Sequence, residues 1–165
     1  MRWIWIDKFV EFTPRTSATA IKNVSLAEEH LHDLFPAFPI VPHSLIVEGM
    51  AQTAGILVGE ARNFSEKVIL AKIGRATFHR LVRPGDTLSY AAKIDQLSED
   101  GASVSGVVKI GLEADAPVVA EIELMFSHID KNMAGTAFPE HNFVFTEQFT
   151  ELLKTYRNAA SISID

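Results

Sequence analysis

The chain has 165 residues, 47% hydrophobic and 22% charged, with a formal net charge of −6 and no cysteine. That composition fits one soluble globular domain with a real core. It excludes disulfides and thiolate metal sites and argues against a general nucleic-acid binder. Glu48 and Gln52 interrupt the longest apolar run before it reaches the ~18 residues that span a bilayer, and the start lacks a signal-peptide cleavage site, so the expected location is cytoplasmic.

"RWIWIDKFVEF" alternates as a strand and Pro14 ends it. "SATAIKNVSL" reads as its partner strand across the polar turn at Arg15 and Thr16. In "SLAEEHL", Ser25 stands three residues before Glu28, a capping-box spacing that predicts one helical turn. A stiff segment with Pro36, Pro39 and Pro42 follows, and the spacing then predicts a long helix from Ser44 to about Glu60, with Ser44 as N-cap. "KVILAKIGRATF", "DTLSYAAKIDQL", "ASVSGVVKIGLE" and "PVVAEIELMFSHI" are four strand-like runs separated by the turn sequences "RPGD", "SEDG" and "ADAP". After Asp130 the pattern dissolves through "KNMAGTAFPEHNFVFT" before a short helix at "EQFTELLKTYRNAA".

The predicted helix is apolar on nearly every side, through Leu45, Val47, Met50, Ala51, Ala54, Leu57 and Val58, so it must be covered on nearly every side. The economical cover is a curved antiparallel sheet wrapped around it. The expected class is α+β, a hotdog fold.

Glu48 and Gln52 are four apart and share one helix face. A carboxylate among apolar groups either pairs with a cation or holds its proton toward neutrality, where it can act as a general acid. The plainer reading of the helix alone is a Glu on a thin exposed stripe. Three prolines favour the first reading, because a rigid loop ending at a helix N-terminus aims free N–H groups at one point, as an oxyanion site requires. Lys67, Lys72, Arg75, Arg80 and Arg83 form a stretch with no acidic residue before Gly85. They read either as solvated strand faces or as a basic patch for an acidic partner or a phosphate-bearing arm.

The run "FPAFPIVPHSLIVEGMAQTAG" resembles the active-site segment of the 3-hydroxyacyl-[acyl-carrier-protein] dehydratases, whose pattern is H-F-P-x-x-P-x-x-P-G-x-L-x-x-E-x-x-x-Q. Phe35, Pro36, Pro39, Pro42, Leu45, Glu48 and Gln52 match in register, and "AKIGRATFHRLVRPGDTL" resembles the strand, basic corner and turn that follow. The likeness covers about Asp7 to Asp130. It implies a hotdog dehydratase-like domain over residues 1–130; residues 131–165 lie outside the likeness and read, from their own pattern, as a C-terminal extension with a short helix packed on the same domain.

The resemblance further implies a homodimer with shared sites, acting on acyl carrier protein or acyl-CoA thioesters. No cofactor is expected beyond the substrate's own phosphopantetheine. Glu48 is the implied acid that protonates the departing hydroxyl, with Gln52 beside it, and the amides near His43 and Ser44 are the oxyanion site. Phe35 and Pro42 line the substrate, while Arg80 and Arg83 receive the carrier.

Two positions depart from the pattern. Leu34 stands where the family has its catalytic histidine, and His43 replaces the glycine after the third proline. Two other histidines are therefore candidate bases. One is His43 at the helix mouth, where the dipole favours a neutral imidazole. The other is His32, two residues before Leu34 and on its side if the segment is extended. His30 and His79 read as surface residues, and His128 and His141 lack metal-spaced partners. Two alternatives stay open: a hotdog thioesterase using Glu48 to activate water, and a catalytically silent acyl-carrier or acyl-thioester binding subunit.

Overall fold

The computed structural model describes residues 4–35, 37–129, 144 and 147–161. Pro36, His141 and most of the predicted irregular segment after Asp130 lie outside the described residues. Among the described residues nine elements follow in chain order: β1 (Lys8–Thr13), β2 (Ser17–Asn23), α1 (His30–Asp33), α2 (His43–Glu60), β3 (Lys67–Phe78), β4 (Thr87–Leu97), β5 (Gly101–Ile110), β6 (Val118–Ile129) and α3 (Glu147–Ser161). The six strands form one antiparallel sheet in the order β1-β2-β4-β5-β6-β3.

Period-two alternation decides which strand residues face α2. Along β5, Ala102, Val104, Gly106 and Val108 are buried in turn, and along β6 so are Ile122, Leu124 and Phe126. The helix fills the concavity of this face. Its three glycines each cost about 1 kcal/mol in helix propensity relative to alanine. Burial of Ile46, Met50, Ile56, Leu57 and Val58 outweighs that loss, at about 1.5–3 kcal/mol for each large apolar side chain. Gly49 also has a packing reason, since a Cβ there would strike the Tyr90 ring of β4. This is the hotdog arrangement expected from the pattern.

Two local expectations change. α2 begins at His43, with Pro42 at the N-cap (ψ 141°) and no side-chain cap, so Ser44 is not the cap. Proline's fixed φ sets the entry angle, and the Pro42 carbonyl accepts from the Leu45 and Ile46 amides. The Ser25–Glu28 spacing builds a turn instead of a capping box. Ser25 accepts from the amides of Ala27 and Glu28, while the Glu28 carboxylate turns to Lys22 Nζ at 2.6 Å. The helical turn comes later, at His30–Asp33. No helix among the described residues is long and apolar enough to cross a membrane.

α3 packs against the β1 side of the domain. Its Leu153 is buried with the main core and its Tyr156 ring lies 6.5 Å from Phe12. The opposite edge strand, β3, exposes Leu70, Ile73 and Lys72 and carries two register shifts against β6.

Candidate functional site

Glu48 sits half-buried in the second turn of α2, and Gln52, one turn on, is buried. Gln52 Nε2 donates to Glu48 Oε1 at 2.7 Å, while Gln52 Oε1 accepts from the Trp5 amide at 2.8 Å. The Trp5 N–H is only a donor, so the Gln52 amide has one workable orientation, which points its NH₂ at the carboxyl. The Trp5 indole N–H donates in turn to the Tyr90 hydroxyl at 3.1 Å. Burial pushes the Tyr90 phenol well above its ordinary range, so it stays protonated throughout the working pH range. A chain of three hydrogen bonds thus ties the carboxyl to the floor of the sheet.

Glu48 and Gln52 open onto a cavity of about 200 Å³. Its remaining walls are Ala51, Gly55 and Ile56 of α2, Val68 and Leu70 of β3, Phe126 of β6, and Val144 and Phe149. This places a carboxyl group at the polar end of an apolar slot, a shape suited to a chain with one polar head.

The helix mouth is built differently. Ala37 takes a left-handed φ of 64°, Phe38 N donates to the Phe35 carbonyl, and Val41 N donates to the Val82 carbonyl at 2.9 Å. That last bond fastens the proline loop to the corner that carries Arg80 and Arg83. The Arg83 guanidinium lies 5.0 Å over the Phe38 ring. His43 is exposed and stacks flat on Phe78, with centroids 3.9 Å apart and ring planes within 3°. Helix geometry leaves the amides of His43 and Ser44 without intrahelical acceptors. Leu34, Phe35 and Phe38 are exposed, Leu34 by 55%.

Within one chain the structure brings Glu48 and Gln52 together but does not bring His43, Ser44, Pro42, Phe35, Arg80 or Arg83 to the lining of their cavity. Five residues along an α-helix are about 7.5 Å and about 140° of rotation, so Glu48 and His43 face different ways. His32 lies within α1, not in an extended segment, so it does not share a side with Leu34. His30 is not a surface residue: only 20% of its side chain is exposed, Nε2 lies 3.4 Å from Glu28 Oε2, and the ring tilts against Trp5. His79 is exposed, and the buried ring of His128 meets Glu66 at 3.0 Å.

The basic stretch divides on folding. Lys67 is buried, and Arg75 pairs with Glu123 on β6. Arg80 and Arg83 remain exposed at the corner beside the mouth. Trp5, Tyr90, Val144 and Phe149 did not stand out in the sequence as site residues. Trp5 precedes β1, and with Trp5 and Ile6 both buried the alternation of the first run does not single it out.

Residues 4–123 match the model of the FabA-like domain family. A 3-hydroxyacyl-[acyl-carrier-protein] dehydratase FabZ from Rickettsia bellii is 39% identical over 116 residues, covering 69% of this chain and 80% of the relative. Among solved structures, the dehydratase heterocomplex ApeI:P from Xenorhabdus doucetiae superposes with a TM-score of 0.63 at 16% identity, covering 78% of this chain and 84% of that one. A thioesterase from Haemophilus influenzae superposes with a TM-score of 0.57 at 13% identity, covering 72% and 76%. Both structural likenesses establish the hotdog fold, and the sequence matches establish the lineage. The chain belongs to the FabA-like, 3-hydroxyacyl-[acyl-carrier-protein] dehydratase family.

Proposed function

We propose that this chain binds 3-hydroxyacyl thioesters, with Glu48 as the acid of the dehydration step. The observation that carries this reading is the half-buried carboxyl, oriented by Gln52 and opening onto an apolar slot. In the step itself, a base removes the α-proton and the β-hydroxyl departs with a proton from Glu48. The products are water and an enoyl thioester. The first-turn amides of His43 and Ser44 hold the thioester oxygen as it gains charge. Phe35 and Pro42 guide the substrate at the mouth, and Arg80 and Arg83 receive the acidic surface of the carrier or the phosphate of its arm. No cofactor enters beyond the phosphopantetheine of the substrate. Synthesis of fatty acids or related lipids in the cytoplasm is the setting this chemistry fits.

Assembly belongs to the same reading. The outer edge of β3 has no strand partner among the described residues, and Leu70 and Ile73 are exposed along it. A long edge strand with apolar side chains invites pairing with a second copy. A homodimer joined there sets each mouth beside the partner's Glu48, which supplies the neighbourhood that one chain lacks. Light scattering showing monomer alone at micromolar concentration removes this arrangement.

His43 is the candidate for α-proton removal, and Leu34 favours a second reading in which the pocket binds thioesters without turning them over. One experiment separates them. 3-Hydroxybutyryl thioester is supplied and the enoyl band followed, with released thiol and binding measured in parallel. Enoyl formation lost in both Glu48→Gln and His43→Ala supports the dehydratase. Thiol release supports the thioesterase, and binding without either product supports the silent subunit.

A further inference from the structure

Three residues that line the Glu48 cavity lie beyond the segment matched to the family, which ends at residue 123: Phe126 on β6, Val144 and Phe149. Phe149, in the first turn of α3, and Val144 line it opposite no polar group of their own. The lining from α2 includes the small Ala51 and Gly55, and the Phe149 ring is the bulky contribution from α3.

α3 is anchored well away from the cavity. Leu153 is buried, Tyr156 packs near Phe12, and Arg157 Nη2 bonds Glu60 Oε1 at 2.6 Å. Phe149 shares the cavity lining with Gln52 of α2, and Arg157 reaches that helix at its far end, at Glu60. Eight residues, about 12 Å of helix, separate Phe149 from Arg157. The far-end ion pair and the buried leucine thereby set where Phe149 stands.

We infer that Phe149, with Val144 beside it, closes the acyl end of the pocket and limits the chain length this protein accepts. The inference rests on reading the Glu48 cavity as the thioester site, and it names the substrate class as short acyl thioesters. Volume gives the scale. An apolar cavity of about 150 Å³ holds a benzene-sized guest, so about 200 Å³ takes a chain of roughly six to eight carbons.

The test measures binding of 3-hydroxyacyl-pantetheine thioesters of four, eight and twelve carbons to the full chain by calorimetry. Wild type is compared with Phe149→Ala and Phe149→Trp. Wild type is expected to bind the twelve-carbon thioester about tenfold or more weakly than the eight-carbon one. Phe149→Ala should bring the two within about threefold, and Phe149→Trp should weaken the eight-carbon thioester while sparing the four-carbon one. General loosening of α3 moves both variants the same way, so opposite shifts identify the wall. One unchanged profile across all three proteins overturns the inference and leaves the thioester pocket standing. Failure of wild type to bind any chain length overturns the thioester reading, and the inference falls with it.

Discussion

At Glu48 the protein holds a carboxyl at the end of three hydrogen bonds that run through Gln52 and Trp5 to Tyr90. At the mouth, Leu34 stands 55% exposed next to the exposed Phe35. The first region is a positioned polar group with a supporting shell, and each member is satisfied by the next. The second is a stiffened loop: prolines, a left-handed alanine and an anchoring bond from Val41 to Val82. The difference separates two requirements that one active site usually combines. Acid placement depends on burial and register inside the sheet, whereas base placement depends on a single loop side chain. A loop residue can change without disturbing the core, so the proposed acid half of the site is compatible with many side chains at position 34.

The largest test of that contrast is Leu34→His. If the mouth lacks only a base, enoyl formation should rise by about 10²–10⁴-fold, the usual contribution of general-base catalysis. A fast wild type that gains nothing from the new histidine and collapses in His43→Ala would transfer the role to His43.

The acid half is broken from behind by Gln52→Leu. That change strands the buried Trp5 amide, which should cost about 1–3 kcal/mol in denaturant unfolding and also lower turnover, since Glu48 loses its orienting donor. Loss of turnover with full stability would mean that the Trp5 link is dispensable to the fold.

A smaller effect is expected at the corner. Arg80→Glu with Arg83→Glu should weaken acyl-carrier binding roughly three- to tenfold and flatten its salt dependence, because exposed charges are screened over about 8 Å at physiological ionic strength. Equal affinity in both proteins returns these arginines to plain solvated positions.

The smallest change relieves the mouth itself. Ala37→Gly removes the Cβ from a left-handed residue and should stabilise the fold by about 1 kcal/mol, read as a shift in thermal midpoint, with turnover unchanged. A lower midpoint would show that the unfolded-state entropy of the new glycine outweighs the strain.

Much of this molecule was legible in the chain. Alternation and turn chemistry predicted all six strands, and β3 matches its quoted run from Lys67 to Phe78. The all-round apolar pattern of α2 demanded a wrapping sheet, and four-residue spacing put Glu48 and Gln52 on one face. These are local properties, because a period of 2 or 3.6 residues is written in consecutive side chains. Tertiary structure decided what depends on partners distant in sequence. The basic stretch dissolved because β3 lies against Glu123 of β6 and because the start of β3 buries Lys67. Trp5 and Tyr90 became the support of Glu48 across 85 residues of separation. Phe149 reaches the cavity from a helix held by the buried Leu153 and the Arg157–Glu60 pair. Periodicity determines which face of an element is buried, but strand order, register and helix docking determine what that face meets, and the site is made of those meetings.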